Sequence, residues 1–510
     1  MAKFPPPNLL FILTDQQRVD ALSCHGGWIK TPNLDRLAAT GADLRGHFAQ
    51  APVCVPSRCT LFSGQYPHTL GVLENDRSLP GQAPHLLKIL RQQGYHLTYS
   101  GKNHMLPEAE LAANVEHYDP PERRPQPSPE RQAYVRLERE SQRHLATQDC
   151  FSSGRYHDFP DEVTTSGMIA GQMLGDLAAA PADRPWCLVC SFSDPHVPHL
   201  APRRFASLYP EDSIPLPDWT PAPDGTEPRR LGIKRGAQGA DRADAAAQRH
   251  YLAVYGAMCS YVDELIGRIL AALHERPDAS RTIVVFVSDH GDFCWDHGMV
   301  KKDLLLYDSL LRVPALIHWP ARLAPRVVTD TLTEHADMLP TLLELLGVPV
   351  PAECQGRSFA PLLRGEAATH RAEVHAEVCY EWMHCKYRTA AEYRQAWEAD
   401  QATGGPLSRS APYNVPGDHT RAVRTWNWKY IWFGDGFEEL YDVVNDPAET
   451  HNLARESRHT AILTAMRQRL QDWQAATPPS ASDPLSWQEH RQQFDRWDFS
   501  HSAPLASPWK

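Results

Sequence analysis

Three apolar runs in the chain end in residues that can hold a metal ion or move a proton. Asn8–Thr14 is followed by Asp15 and Gln16, residues 186–192 by Asp194 and His196, and Thr282–Ser288 by Asp289, His290 and Asp292. A lone aspartate after a strand is ordinarily a cap or turn residue. Here two carboxylates, an amide oxygen and an imidazole stand in two strand-end pairs, a donor set suited to one divalent cation. Ligands of open α/β sheets bind outside the carboxyl ends of the strands, where these residues fall. A further segment, Cys54-Val55-Pro56-Ser57-Arg58, supplies a thiol and a fixed cation. Pro56 suits a first helical turn and Ser57 can cap it, so the thiol is expected near a helix N-terminus, where the dipole favours an anion.

The elements that position these residues follow from periodicity. Thr31-Pro32 predicts a helix start and Gly41 its stop; residues 83–93, with Pro84 near the start and Gly94 after the end, repeat the pattern. Val254, Met258, Val262, Leu265, Ile269 and Leu273 recur at three- and four-residue steps and mark a long amphipathic helix. It leads into Thr282–Ser288, a β-branched run of the kind buried on both faces in parallel sheets. Residues 186–192 and 313–319 read as further strands. Strands alternating with helices predict an α/β doubly wound fold. Residues 120–142 and 202–247 are polar and proline-rich and read as exposed excursions. Beyond about residue 370 the pattern changes to Trp- and Tyr-rich strands at 420–433 and one helix at 460–473. The expected organisation is a domain at 1–370, a smaller α+β domain at 371–483, and a tail at 484–510. The aromatics of the tail (Trp487, Phe494, Trp497, Phe499 and Trp509) suggest a contact between subunits of a homo-oligomer.

Composition bounds the function. The 510 residues are 42% apolar and 22% charged, with a net charge of −11, so broad binding to nucleic acid is excluded and an anionic ligand needs a local cluster of cations. No stretch approaches the roughly 20 apolar residues that span a bilayer. The N-terminal apolar run is too short for a signal sequence, and the 11 cysteines show no regular spacing, which predicts a cytoplasmic protein with free thiols. Cys187 and Cys190 fall inside a predicted strand on opposite faces, which reads as core thiols rather than a redox pair. Cys59 and Cys294 lie near the candidate site without a role.

Cys54-x-Pro-Ser-Arg58 resembles the signature of the type I sulfatases, and ordered blocks extend the resemblance through nearly the whole chain. They include residues 8–16, 31–37, 63–67, Gly101-Lys102-Asn103-His104, Pro195-His196, 288–292, 297–302, 307–314, 337–341, 439–442 and 445–447. The resemblance implies an alkaline-phosphatase-like fold, with a large sheet flanked by helices and a smaller C-terminal domain. It implies that a formylglycine-generating enzyme oxidises Cys54 to formylglycine. Asp15, Gln16, Asp289 and His290 match the metal ligands, with the modified Cys54 completing the shell. Arg58 and Lys102 match the cations that orient the formylglycine hydrate, and His104 the base that later deprotonates it. His196 and Lys302, with Lys301 adjacent, match the pair that contacts sulfate and protonates the leaving oxygen. Asn75 matches a substrate-binding amide. His199 and His297 lie near the site without a role.

Many sulfatases have two adjacent aspartates at Asp15-Gln16 and Asp-Asn at Asp289-His290. The Gln and His variants are similar to choline sulfatases and phosphonate monoester hydrolases. An oxygen-rich shell suits Ca²⁺, and an imidazole ligand tolerates Mn²⁺. The expected activity is hydrolysis of a small anionic sulfate monoester. The alternatives are a phosphonate monoester or phosphodiester hydrolase with the same site, and a non-catalytic anion-binding relative. Residues 381–401, with Tyr380, Trp382 and Tyr387, are expected near the pocket or in the smaller core.

Overall fold

The computed structural model describes residues 6–478, except 76, 121–127, 146–150, 152–153, 221–225, 229–230, 233–234, 236–237, 239, 380–398, 400–418 and 435. The tail at 484–510 and the aromatics Tyr380, Trp382 and Tyr387 lie outside the described residues. The chain is α/β. Its large sheet has eight strands: β1 (Asn8–Thr14), β2 (Ala42–Leu44), β3 (His96–Gly101), β4 (His117–Tyr118), β5 (Trp186–Ser191), β6 (Thr282–Ser288), β7 (Ala315–His318) and β8 (Arg326–Val328). Their spatial order is β8-β2-β7-β6-β1-β5-β3-β4.

β1 is central, parallel to both β5 and β6, and all three are buried along their full length. That is why they read as unbroken apolar runs. Leu9, Phe11 and Leu13 face one core, while Leu10 and Ile12 face the other. Cys187 and Cys190 divide between the same two cores, as their spacing predicts. On one side lies the long helix Ala245–His274, on which every residue of the predicted apolar stripe is buried. The opposite core takes Cys59, Leu61 and Phe62 from helix Cys54–Ser63.

Three local expectations are corrected. β7 pairs antiparallel with β6, although the sequence reads 313–319 as one more strand of a parallel set. The connection from β6 holds only short helical turns and no helix that crosses the sheet, so the chain re-enters from the edge it left. The helix expected at 83–93 begins at Leu86, where the His85 side chain accepts the Lys88 N–H. Within the expected excursion at 120–142, Pro129–Leu145 is a helix whose Tyr134 is buried edge-on against His157 and Phe159.

A second sheet is antiparallel, in the order β9 (Glu373–Cys379), β10 (His419–Thr425), β11 (Trp428–Phe433) and β12 (Glu438–Asp442). One face packs on helix Thr460–Ala476 through Val423, Tyr430, Leu440, Leu470 and Trp473. The other, with Ala422, Ile431 and Tyr441, packs on Leu305, Leu306, Tyr307 and Leu310, just beyond Lys302. The two sheets thus share a core beside a candidate site residue.

An ion cluster ties the same junction. The fully buried Lys429 Nζ lies 2.7 Å from both Asp308 Oδ1 and Glu449 Oε1. Burial pushes the Asp308 carboxyl up, but Lys429 and Arg424 outweigh it and hold it at about 2. Its folded value is depressed, so its stabilisation is present above the unfolded value near 3.8 and is lost as pH falls toward 2. Lys429→Met is expected to cost about 3–5 kcal/mol at neutral pH, because Glu449 loses its cation and Asp308 is left with Arg424 at 3.4 Å. Acid protonates the carboxylates that have lost Lys429, so the cost should be smaller at pH 4 than at pH 7. Urea unfolding at pH 7 and pH 4 checks both effects.

Candidate active site

Cys54 is the first residue of helix Cys54–Ser63 and is buried, so its thiol does lie at a helix N-terminus. Ser57 is not the cap. The helix begins at Cys54, so Pro56 does fall in its first turn, and Asn75 Oδ1, from outside the helix, accepts the Val55 N–H at 2.9 Å. The Ser57 hydroxyl, inside the first turn, donates instead to the Asp289 carbonyl.

Around the Cys54 sulfur lie Lys302 Nζ at 2.6 Å, His290 Nε2 at 3.4 Å, Lys102 Nζ at 3.6 Å and Asp15 Oδ1 at 3.7 Å. Burial and Asp15 push the thiol up, but Lys102, Lys302 and His290 outweigh them and hold it well below its ordinary value. Arg58 is fully buried and grips the carboxylates rather than the sulfur. Its Nε donates to Asp289 Oδ2 at 2.7 Å and its Nη2 to Asp15 Oδ2 at 2.9 Å, while Nη1 donates to the Lys102 carbonyl and Ser191 Oγ. Lys102 Nζ adds a 2.5 Å bond to Asp15 Oδ2. Burial raises the Asp15 carboxyl, but Lys102, His196, Lys302 and Arg58 together hold it well below the usual range.

Asp15, Cys54, Asp289 and His290 each offer a ligand atom, and these atoms lie within 4.8 Å of one another. Two further observations fit a cation there. The buried Gln16 Oε1 has no hydrogen-bond partner among the described residues. His290 Nδ1 donates to the Gly291 carbonyl at 2.9 Å, which leaves Nε2 with its lone pair toward the cluster, the arrangement of a metal-ligating histidine. A second group, Cys24, His25 and Asp43, has comparable spacing, but Arg45 already occupies Asp43 at 2.7 Å.

His196 lies beside Cys54, with Nδ1 2.5 Å from the Val197 carbonyl. Burial, Lys302 and Lys102 lower its pKa. His104 follows Lys102 on the same loop, exposed and with a left-handed backbone (φ 45°). Asn75 is exposed at the mouth of the Cys54 helix. His199 is buried against Tyr251, and His297 stacks on Tyr307. Thus nine of the eleven expected residues converge, and His104 and Asn75 stand at the rim.

Sequence reasoning missed a chain of side chains beneath Asp289. Its carbonyl accepts from His335 Nε2 at 3.1 Å, His335 Nδ1 accepts from His47 Nε2 at 2.9 Å, and His47 Nδ1 accepts from the Thr333 hydroxyl at 2.9 Å. Burial keeps both histidines neutral, which this single direction of donors requires.

The family model described as Sulfatase matches residues 7–348. The chain belongs to the sulfatase family. It is an enzyme, and relatives of this sulfatase span nearly its full length. An arylsulfatase of Clostridium perfringens is 26% identical over 91% of this chain and 93% of its own. A choline-sulfatase of Rhizobium meliloti is 28% identical over 90% of this chain and 85% of its own. The solved phosphonate monoester hydrolase of Agrobacterium radiobacter, 23% identical, covers 92% of this sulfatase and 96% of itself with a TM-score of 0.69, and shares its alkaline-phosphatase-like fold. Among the described residues no helix is long and apolar enough to cross a membrane.

Proposed function

We propose that this sulfatase hydrolyses small sulfate monoesters with formylglycine, made from Cys54 by a formylglycine-generating enzyme, and one divalent metal. The convergence of Asp15, Asp289 and His290 on Cys54, with Lys302 and Lys102 on its sulfur, carries the reading. The cation, Ca²⁺ or else Mn²⁺, would be held by Asp15, Gln16, Asp289, His290 and residue 54 and would supply positive charge against the anionic oxygens of the ester. Formylglycine would supply a hydrated aldehyde whose second hydroxyl permits release of sulfate.

The chain's own residues do the rest. Lys102 and Lys302 neutralise charge at the position of the sulfur and stabilise what develops there in the transition state. Arg58 fixes Asp15 and Asp289 so that the ligand oxygens need not reorganise. Burial and the field of two lysines lower the proton affinity of His196. A bound anion cancels that field and raises its proton affinity, so that with Lys302 it can supply the proton to the leaving oxygen. His104, exposed next to Lys102, takes the proton that resets the site. Asn75 holds the Cys54 helix and presents its amide at the mouth. Residues 1–370 form the catalytic domain in this reading, with 371–483 as the smaller one.

A second reading, hydrolysis of phosphonate monoesters or phosphodiesters, is favoured by one observation: two of the four ligands, Gln16 and His290, are neutral. An aryl sulfate and an aryl phosphonate monoester with the same leaving group separate the two. The expected kcat/KM favours the sulfate by about tenfold or more, roughly 1.4 kcal/mol of transition-state stabilisation. A preference for the phosphonate overturns the sulfatase activity.

A further inference from the structure

Gln16 is an unusual place to find an amide. Its backbone is left-handed, with φ 68°, a conformation that costs a side-chain-bearing residue about 1 kcal/mol or more. It is pinned there from both sides: its N–H donates to Asp289 Oδ1 at 3.1 Å, and its carbonyl accepts the Tyr255 hydroxyl at 3.0 Å. The side chain is fully buried, and its two ends meet opposite fates. Nε2 donates to Asp292 Oδ2 at 2.5 Å, while Oε1 has no partner among the described residues.

An amide can normally turn over and exchange its oxygen and nitrogen. Here it cannot do so without cost, because both Asp292 carboxylate oxygens accept N–H donors and would offer the turned amide oxygen no donor. Asp292 is itself locked. Its other oxygen, Oδ1, accepts the Cys294 N–H at 2.7 Å, and its carbonyl accepts from Arg18 Nη1 at 3.0 Å. Turning the amide would set its oxygen against a carboxylate and point an NH₂ group at the cation position, two repulsive contacts in a dry site.

We propose that Asp292 is a positioning residue that fixes which end of the Gln16 amide faces the metal, holding Nε2 so that Oε1 enters the shell. This rests on the metal-site reading above and adds a reason for the amide. With Asp292 so close behind, a carboxylate at position 16 would meet a like charge, whereas an amide satisfies both neighbours at once.

The test is equilibrium dialysis of the full-length protein against Mn²⁺ and, separately, Ca²⁺, with metal counted per chain and the state of Cys54 checked by peptide mass. Asp292→Asn lets the amide turn and is expected to weaken binding about 10- to 100-fold. In a Gln16→Ala background the same change should add less than about twofold, because the residue it acts through is gone. Gln16→Glu gives the second arm. On charge alone an added carboxylate tightens cation binding; facing Asp292 it should fail to do so until Asp292→Asn is added. Melting temperature without metal separates a folding defect from a positioning one. Undiminished affinity in Asp292→Asn while Gln16→Ala weakens binding overturns the proposal alone, as does tighter binding by Gln16→Glu. Undiminished affinity in Gln16→Ala removes Gln16 from the shell and overturns both readings.

Discussion

Cys54→Ala is expected to abolish turnover of an aryl sulfate, with kcat falling by about 10⁵–10⁶, as when a covalent nucleophile is removed. Folding should be nearly unaffected. The substitution deletes one sulfur atom, and Lys102 and Lys302 keep the Asp15 carboxylate at 2.5 and 3.9 Å as a partner. A stability change within about 1–2 kcal/mol is therefore expected, read from thermal melts beside the activity assay. Cys54→Ser sharpens the result. Its single hydroxyl in the same cationic field can attack once but has no second hydroxyl to expel sulfate. Product should then stop at no more than one equivalent per active site. Sustained turnover by either variant would remove Cys54 from the chemistry and overturn the formylglycine mechanism.

Much of this site is legible in the sequence because each ligand pair is local. Asp15 and Gln16 end β1, and Asp289 and His290 end β6; adjacent parallel strands in register bring both pairs to one sheet edge. The cysteine motif is a single helical turn, so the thiol and Arg58 are also set locally. What escapes is whatever depends on side chains far apart in the chain. Arg58 reads as a cation for the sulfur, yet the fold spends it on two carboxylates from different strands. Ser57 reads as a cap because the true capping group, Asn75, comes from outside the helix. His47 and His335 meet across 288 positions and carry no local signal. The direction of β7 is lost for a similar reason: periodicity shows that a segment is a buried strand but not the edge from which it enters.

Arg58 gives the second large effect, and it tests stability and chemistry together. Its guanidinium spans both ligand carboxylates with two arms and holds the Lys102 carbonyl and Ser191 with the third. A lysine keeps the charge but cannot fork, so Arg58→Lys can hold one carboxylate in place and not both. A ligand oxygen left free to move costs reorganisation in the transition state, and kcat/KM should fall about 10²–10³-fold, roughly 2.7–4 kcal/mol. Arg58→Met should cost about 3–5 kcal/mol of folding stability, because two buried carboxylates lose their permanent cation. A divalent metal then becomes their main neutraliser. Saturating Ca²⁺ or Mn²⁺ should accordingly raise the melting temperature of Arg58→Met by more than that of the wild type. An equal metal-induced shift in both proteins would mean that Arg58 and the cation do not act on the same carboxylates. Full activity in Arg58→Lys would mean that fixing both at once is not what the reaction needs.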